Sequence, residues 1–100
     1  MTNGTRHANV IGMKQINWNA EKNQTLMNER GISFEDIVFS IQQGDLLDDF
    51  RHPNKNKYPN QRVFVVNVEG CAHLVPYVEN EEEIFLKTII PSRKATKKYL

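Results

Sequence analysis

The sequence holds one cysteine, almost no net charge at +1, and no apolar run approaching the ~20 residues of a membrane-spanning helix. Cys71 has no second cysteine for an internal disulfide or a thiolate zinc site, which fits a reducing compartment, and its plain reading is a buried thiol. The polar opening 1–12 lacks the apolar centre of a signal peptide, so a non-exported, cytoplasmic protein is expected. A glycine-rich phosphate cradle, a paired-cysteine motif, a Gly-x-Ser-x-Gly elbow and a dinucleotide fingerprint are all missing. Their absence counts against nucleotide-fuelled, zinc-structured and hydrolase-type chemistry, and neither metal nor cofactor is expected. With so small a net charge, electrostatics can act only through local clustering.

What is present suits a single α+β domain, because 100 residues support one hydrophobic core and not two. Residues 1–12 show no periodicity and are expected to form a disordered arm, an upstream start or an appended remnant, leaving 13–100 as the domain. Residues 14–18 alternate like a short strand, with Ile16 and Trp18 on one face. Asn19 can cap a helix over 20–30, and Gly31 suits the left-handed residue that ends it. Ser33-Phe34-Glu35-Asp36 opens a second helix whose apolar stripe is Phe34, Ile37, Val38 and Ile41, ending near Gly44. A strand over 45–50 leads into a loop with two prolines and three asparagines over 51–60. Strands over 62–68, 71–79 and 83–90, joined by short turns, predict an antiparallel meander. Pro91 ends the last strand and Ser92 caps a short basic helix over 93–100.

Charge is segregated along the chain. From Glu21 to Asp49 the bases are Lys22 and Arg30 only, whereas Lys87, Arg93, Lys94, Lys97 and Lys98 end the chain with no acidic side chain among them. The loop adds Arg51, Lys55 and Lys57, again without an acid. A basic helix beside a basic loop is what phosphate binding requires, since each neutralised phosphate releases counterions; a solvated lysine-rich tail has the same composition. Cutting RNA without a metal needs cations for the charge growing on phosphorus, a base for the 2′-hydroxyl and an acid for the leaving oxygen. Arg62, opening a strand, and Arg93, at a helix start with free amides, supply guanidinium groups that can fork onto phosphate. Lys94 is a second cation at the same corner. His73 is a candidate because an unperturbed imidazole suits acid or base work, although a histidine among apolar neighbours is often a bonded sheet residue, and His52 is freer but less held. Lys22 sits in the first turn of helix one, where the dipole disfavours a cation. The acids of 79–83 could instead hold a magnesium ion, or simply be solvated at a hairpin tip.

Three stretches, Trp18-Asn19-Ala20-Glu21-Lys22-Asn23, Arg30-Gly31-Ile32-Ser33-Phe34-Glu35-Asp36 and Ile89-Ile90-Pro91-Ser92-Arg93-Lys94-Ala95-Thr96-Lys97-Lys98, resemble in order and spacing the BrnT family of bacterial type II toxins. The resemblance covers 13–100. It implies a compact RelE-like fold, an antiparallel meander packed with two N-terminal helices and a short C-terminal one. It implies a metal-independent endoribonuclease that inhibits translation and is neutralised by a cognate antitoxin. That antitoxin would be a ribbon-helix-helix protein or a short acidic one, with operator DNA met only through it and no membrane partner. The family's helix-one lysine corresponds to Lys22, its strand-opening arginine to Arg62, and the arginine of its terminal Ser-x-Arg-Lys-Ala-like motif to Arg93, followed by Lys94. The chain departs from the family at Glu29-Arg30, where many members have Lys-His, and at Thr88, where many have arginine.

These observations give a candidate catalytic set of Arg62, Arg93, Lys22 and His73, and an RNA-binding set of Lys94, Lys97, Arg51, Lys55 and Lys57. The expectation behind both is that Arg62 and Arg93 converge on one solvent-open hollow. The alternative is a non-catalytic RNA- or protein-binding module that uses the same basic surface, and a metal-dependent nuclease at 79–83 is a third possibility.

Overall fold

The computed structural model describes residues 5–11 and 14–100. Local signals set most helix ends. Asn19 Oδ1 accepts from the Lys22 amide at 2.9 Å, starting α1 (Ala20–Arg30). Gly31, at φ 66°, ends it in the left-handed conformation and donates its amide to Met27 O at 3.1 Å. Ser33 and Asp36 form a reciprocal capping box, at 3.1 and 2.9 Å, that opens α2 (Phe34–Gln42). Buried Asn23 ties the two helices, accepting from the Phe34 amide at 2.7 Å and donating to Glu35 Oε1 at 2.8 Å. Ser92 Oγ accepts from the Ala95 amide at 3.0 Å and starts α3 (Arg93–Tyr99).

The strands are β1 (Thr5–Ile11), β2 (Lys14–Asn19), β3 (Leu46–Arg51), β4 (Gln61–Val68), β5 (Cys71–Glu79), β6 (Glu83–Leu86) and β7 (Ile90–Pro91). They form one sheet in the order β1-β2-β6-β5-β4-β3, with β7 paired to β5. The fold is α+β, with β4, β5 and β6 as the antiparallel meander. Three features correct the sequence expectations. Much of the stretch read as a disordered arm is strand β1, which pairs antiparallel with β2 and satisfies backbone groups that β2 would otherwise expose at the sheet edge. The rest of that stretch, 1–4 and 12, lies outside the described residues. The β2 strand runs parallel to β6, with Trp18 opposite Leu86, so the sheet is mixed. The expected strand over 83–90 is interrupted: between the Tyr77–Leu86 and Leu74–Ile90 pairs β5 takes three steps and its partner four, and the extra residue forms a bulge at 87–89.

Alternation along the strands divides the core between the two sheet faces. On one face, Ile16, Trp18, Phe64, Val66, Val75, Tyr77 and Leu86 pack with Leu26, Phe34 and Ile37 of α1 and α2. Trp18 and Phe34 stack at 5.7 Å between ring centroids. On the other face, Val65 and Ala72 pack with Ala95 of α3, flanked by Leu47, Phe50, Leu74 and Tyr99. Two contacts fix the course of α3. The Ala72 amide donates to Thr96 Oγ1 at 2.9 Å near its start, and the Tyr99 hydroxyl donates to Asp48 at its end. The helix therefore crosses from β5 to β3 on the face opposite α1 and α2. No helix among the described residues is long and apolar enough to cross a membrane.

Candidate nucleic-acid interface

The two arginines expected to act together are apart. Arg62 stands opposite Tyr77 in the β4–β5 register, whereas Ser92, just before Arg93, donates its amide to Ala72 O at 3.0 Å. Tyr77 and Ala72 are five residues apart on β5, about 16 Å at ~3.3 Å per residue. Arg62 also belongs to the face covered by α1 and α2, while Arg93 begins the helix on the other. The expected shared hollow is not formed, because the meander puts the start of β4 at one end of the sheet and the entry to α3 towards the other.

Arg62 is engaged in its own surroundings. Its Nε donates to Asp49 Oδ1 and to the Tyr77 hydroxyl, both at 3.2 Å, and a terminal nitrogen donates to Asp49 O at 3.3 Å. The Tyr77 hydroxyl in turn donates to Asp49 Oδ1 at 2.7 Å. Burial, with the Asp49 hydrogen bond behind it, pushes the Tyr77 phenol far above its ordinary pKa. The hydrogen bond that Arg62 donates to the Tyr77 hydroxyl is the first cause that holds its guanidinium protonated more firmly still. This cluster clips β3, β4 and β5 together, and it occupies the guanidinium a phosphate would need.

Arg93 is exposed and makes no ion pair among the described residues, and the Asp48 carboxylate accepts from the Tyr99 hydroxyl. With Lys97, Ser92, Thr96, Pro91 and Cys71 it borders a groove of about 510 Å³ whose charged lining is entirely basic. Lys94 is exposed on the same helix. Cys71, read as a buried thiol, is exposed because it opens β5 beside the hairpin turn.

His73 is directly opposite Pro91, two residues before Arg93. Its Nδ1 lies 2.9 Å from Cys71 O, an acceptor only, so Nδ1 carries the proton and Nε2 of the neutral ring keeps its lone pair. His73 lines a second groove, of about 620 Å³, between the β4–β5 hairpin and the α1–α2 turn. Cys71 and Pro91 border both grooves, so His73 and Arg93 flank one strip of backbone from its two sides. Arg30, unremarked as a site residue from sequence, also lines the second groove and donates to Ile89 O at 2.8 Å.

The other candidates lie elsewhere. Lys22 is exposed in the first turn of α1 and lines neither groove. Arg51 ends β3 opposite Arg62, and Lys55 and Lys57 lie in the β3–β4 connection beside that corner, away from α3's start. That loop is ordered by its own bonds. Asn54 donates its amide to His52 Nδ1 at 3.1 Å and accepts from the Lys57 and Tyr58 amides at 3.1 and 2.9 Å, while Arg51 donates to Pro59 O at 3.1 Å. The His52 ring packs tilted against Tyr58, at 4.4 Å between centroids and 43° between planes. In the 79–83 run, Glu79 pairs with Lys14 and Glu83 accepts from Asn17. No group of three His, Cys, Asp or Glu side chains converges among the described residues. Compared with protein-family models, curated proteins and solved structures, the chain matches none.

Proposed function

We propose that the protein is a cytoplasmic endoribonuclease of the type II toxin kind, cutting RNA without a metal and held in check by a cognate antitoxin. Its working edge is the rim shared by the two grooves, with Arg93 and Lys97 as phosphate-binding cations, Lys94 as a supporting one and His73 as the base. The observation that carries this reading is the position of His73 opposite Pro91, which borders both grooves, so that a strand wrapped over that edge would meet His73 on the α1–α2 face and Arg93, which makes no ion pair among the described residues, on the α3 face. The resemblance of three sequence stretches to BrnT toxins supports it independently. Arg62 is left out of the site because Asp49 and Tyr77 already occupy it.

On a strand laid across the rim, Nε2 of His73 would take the proton of a 2′-hydroxyl, and the 2′-oxygen would attack the adjacent phosphorus. Arg93 and Lys97 would hold the charge that grows there, and water would return a proton to the departing 5′-oxygen. The products would be a 2′,3′-cyclic phosphate and a 5′-hydroxyl. Inducing the chain alone in bacteria should arrest growth and fragment RNA; unimpaired growth with intact RNA, while folded protein accumulates, would refute the proposal.

A second reading, a binding module without turnover, is favoured by Asp36, Asp45 and Glu69, which share the groove of His73 and repel phosphate on that side. Under that reading Arg93→Ala weakens RNA binding, and neither wild type nor variant cleaves.

A further inference from the structure

The groove between the hairpin and the α1–α2 turn carries the opposite sign from the groove along α3. Its charged lining is Asp36, Asp45 and Glu69 against Arg30 alone, a net of two negative charges with His73 neutral. Asp36 is engaged in the Ser33 capping box, and the carboxylates of Asp45 and Glu69 extend the same acidic rim. Part of the lining is apolar. Phe39 stands 60% exposed on α2, an uncommon position for a phenyl ring, and it faces a groove also lined by Ile32, Val68 and Pro91. At about 620 Å³ the groove lies within the size range of sites that take several side chains of a ligand.

We propose that this groove is a docking site for a short basic and apolar segment of a partner protein. One large aromatic or aliphatic side chain would pack against Phe39, and flanking lysines or arginines would meet Asp45, Glu69 and Asp36. An exposed aromatic in a concave, polar-rimmed site is the usual anchor of such contacts, and complementary charge selects the partner and speeds encounter. An acidic segment or a nucleic-acid backbone would bring like charge to the rim. The groove shares His73, Cys71 and Pro91 with the proposed RNA-cutting rim, but the inference concerns its acidic side and needs no turnover.

The test is selection of random phage-displayed dodecapeptides on the full chain, with enriched peptides then titrated by fluorescence polarisation. Enriched peptides should carry an aromatic or large aliphatic residue flanked by lysine or arginine. They should lose about tenfold or more in affinity against Phe39→Asp and, separately, against the Asp45→Lys/Glu69→Lys pair, while Lys55→Ala/Lys57→Ala binds as wild type does. Thermal unfolding checks each variant, and Phe39→Ser and Asp45→Asn/Glu69→Gln replace any that is not folded, with a loss of about threefold or more expected. Absence of enrichment, an acidic consensus, or equal affinity for wild type and groove variants would each overturn the proposal.

Discussion

Arg62 and Arg93 are the same side chain in two settings. Arg62 opens a strand at the sheet corner, where a carboxylate, a phenol and a carbonyl absorb its donors. Arg93 opens a helix at the rim, exposed and without a carboxylate partner among the described residues. A guanidinium binds an outside anion only with donors left over, and those are decided by neighbours distant in sequence, Asp49 and Tyr77 in one case and Tyr99's capture of Asp48 in the other. The first arginine therefore holds strands together and the second is available for phosphate.

The largest effect should come from exchanging these settings by mutation. Arg93→Ala is expected to lower cleavage of a fluorescent RNA oligonucleotide by about 100-fold. The same change should alter the urea midpoint by less than the equivalent of ~0.5 kcal/mol. Arg62→Met should do the reverse. Its cleavage should stay within about twofold, while it loses about 1 kcal/mol of stability, a modest figure because the Asp49 pair is partly exposed to solvent. If Arg62→Met abolished cleavage from a stably folded protein, the contrast between the two arginines would collapse.

Next in size is the hydroxyl at the centre of the corner. Tyr77→Phe removes the group that Arg62 donates to and Asp49 accepts from, and is expected to cost about 1–2 kcal/mol in urea unfolding. It also carries a pH signature. Because the folded-state pKa of Tyr77 lies above the unfolded one, its contribution is fully present below pH ~10 and is lost as pH rises from there towards the folded value. Alkaline loss of stability should be shallower in Tyr77→Phe, and identical slopes in the two proteins would contradict the arrangement of this corner.

Smaller again is the salt dependence of RNA binding. Lys97→Ala should reduce the slope of log affinity against log salt by about 0.7 for a single-stranded oligonucleotide. Lys55→Ala, in the loop by the Arg62 corner, should leave it unchanged. The smallest effect concerns the end of α3. The Tyr99 hydroxyl, then the Asp49 amide, holds the Asp48 carboxyl below its ordinary pKa, so that attachment is present above the unfolded value near pH 4 and is lost as pH falls through the depressed one. A Tyr99 ring resonance followed by NMR should shift over that acid range, and Tyr99→Phe should no longer report the Asp48 titration.

The same contrast explains what the sequence could disclose. Asn19, Gly31, Ser33 and Ser92 act within four residues of themselves, so the helix ends they define were legible before any coordinates. The meander was legible too, because alternation and turns are local. Pairings across the sheet were not. The parallel register of Trp18 with Leu86, the bulge at 87–89, strand β1 and the Asp49–Arg62–Tyr77 cluster depend on which strand lies beside which. For the site, the basic character of α3 and the place of His73 on its strand could be read from residue types. The loss of Arg62 to its neighbours and the entry of Arg30 into His73's groove could not, because neither has a sequence signal shorter than the distance between the elements.

The central claim is best tested by incubating the purified chain and its His73→Gln variant with single-stranded RNA in excess chelator and identifying the ends of any fragments. The account predicts fragments bearing 2′,3′-cyclic phosphate and 5′-hydroxyl ends from wild type, formed about 100-fold more slowly by His73→Gln. Intact RNA with folded wild-type protein, or equal rates from the two proteins, would contradict it.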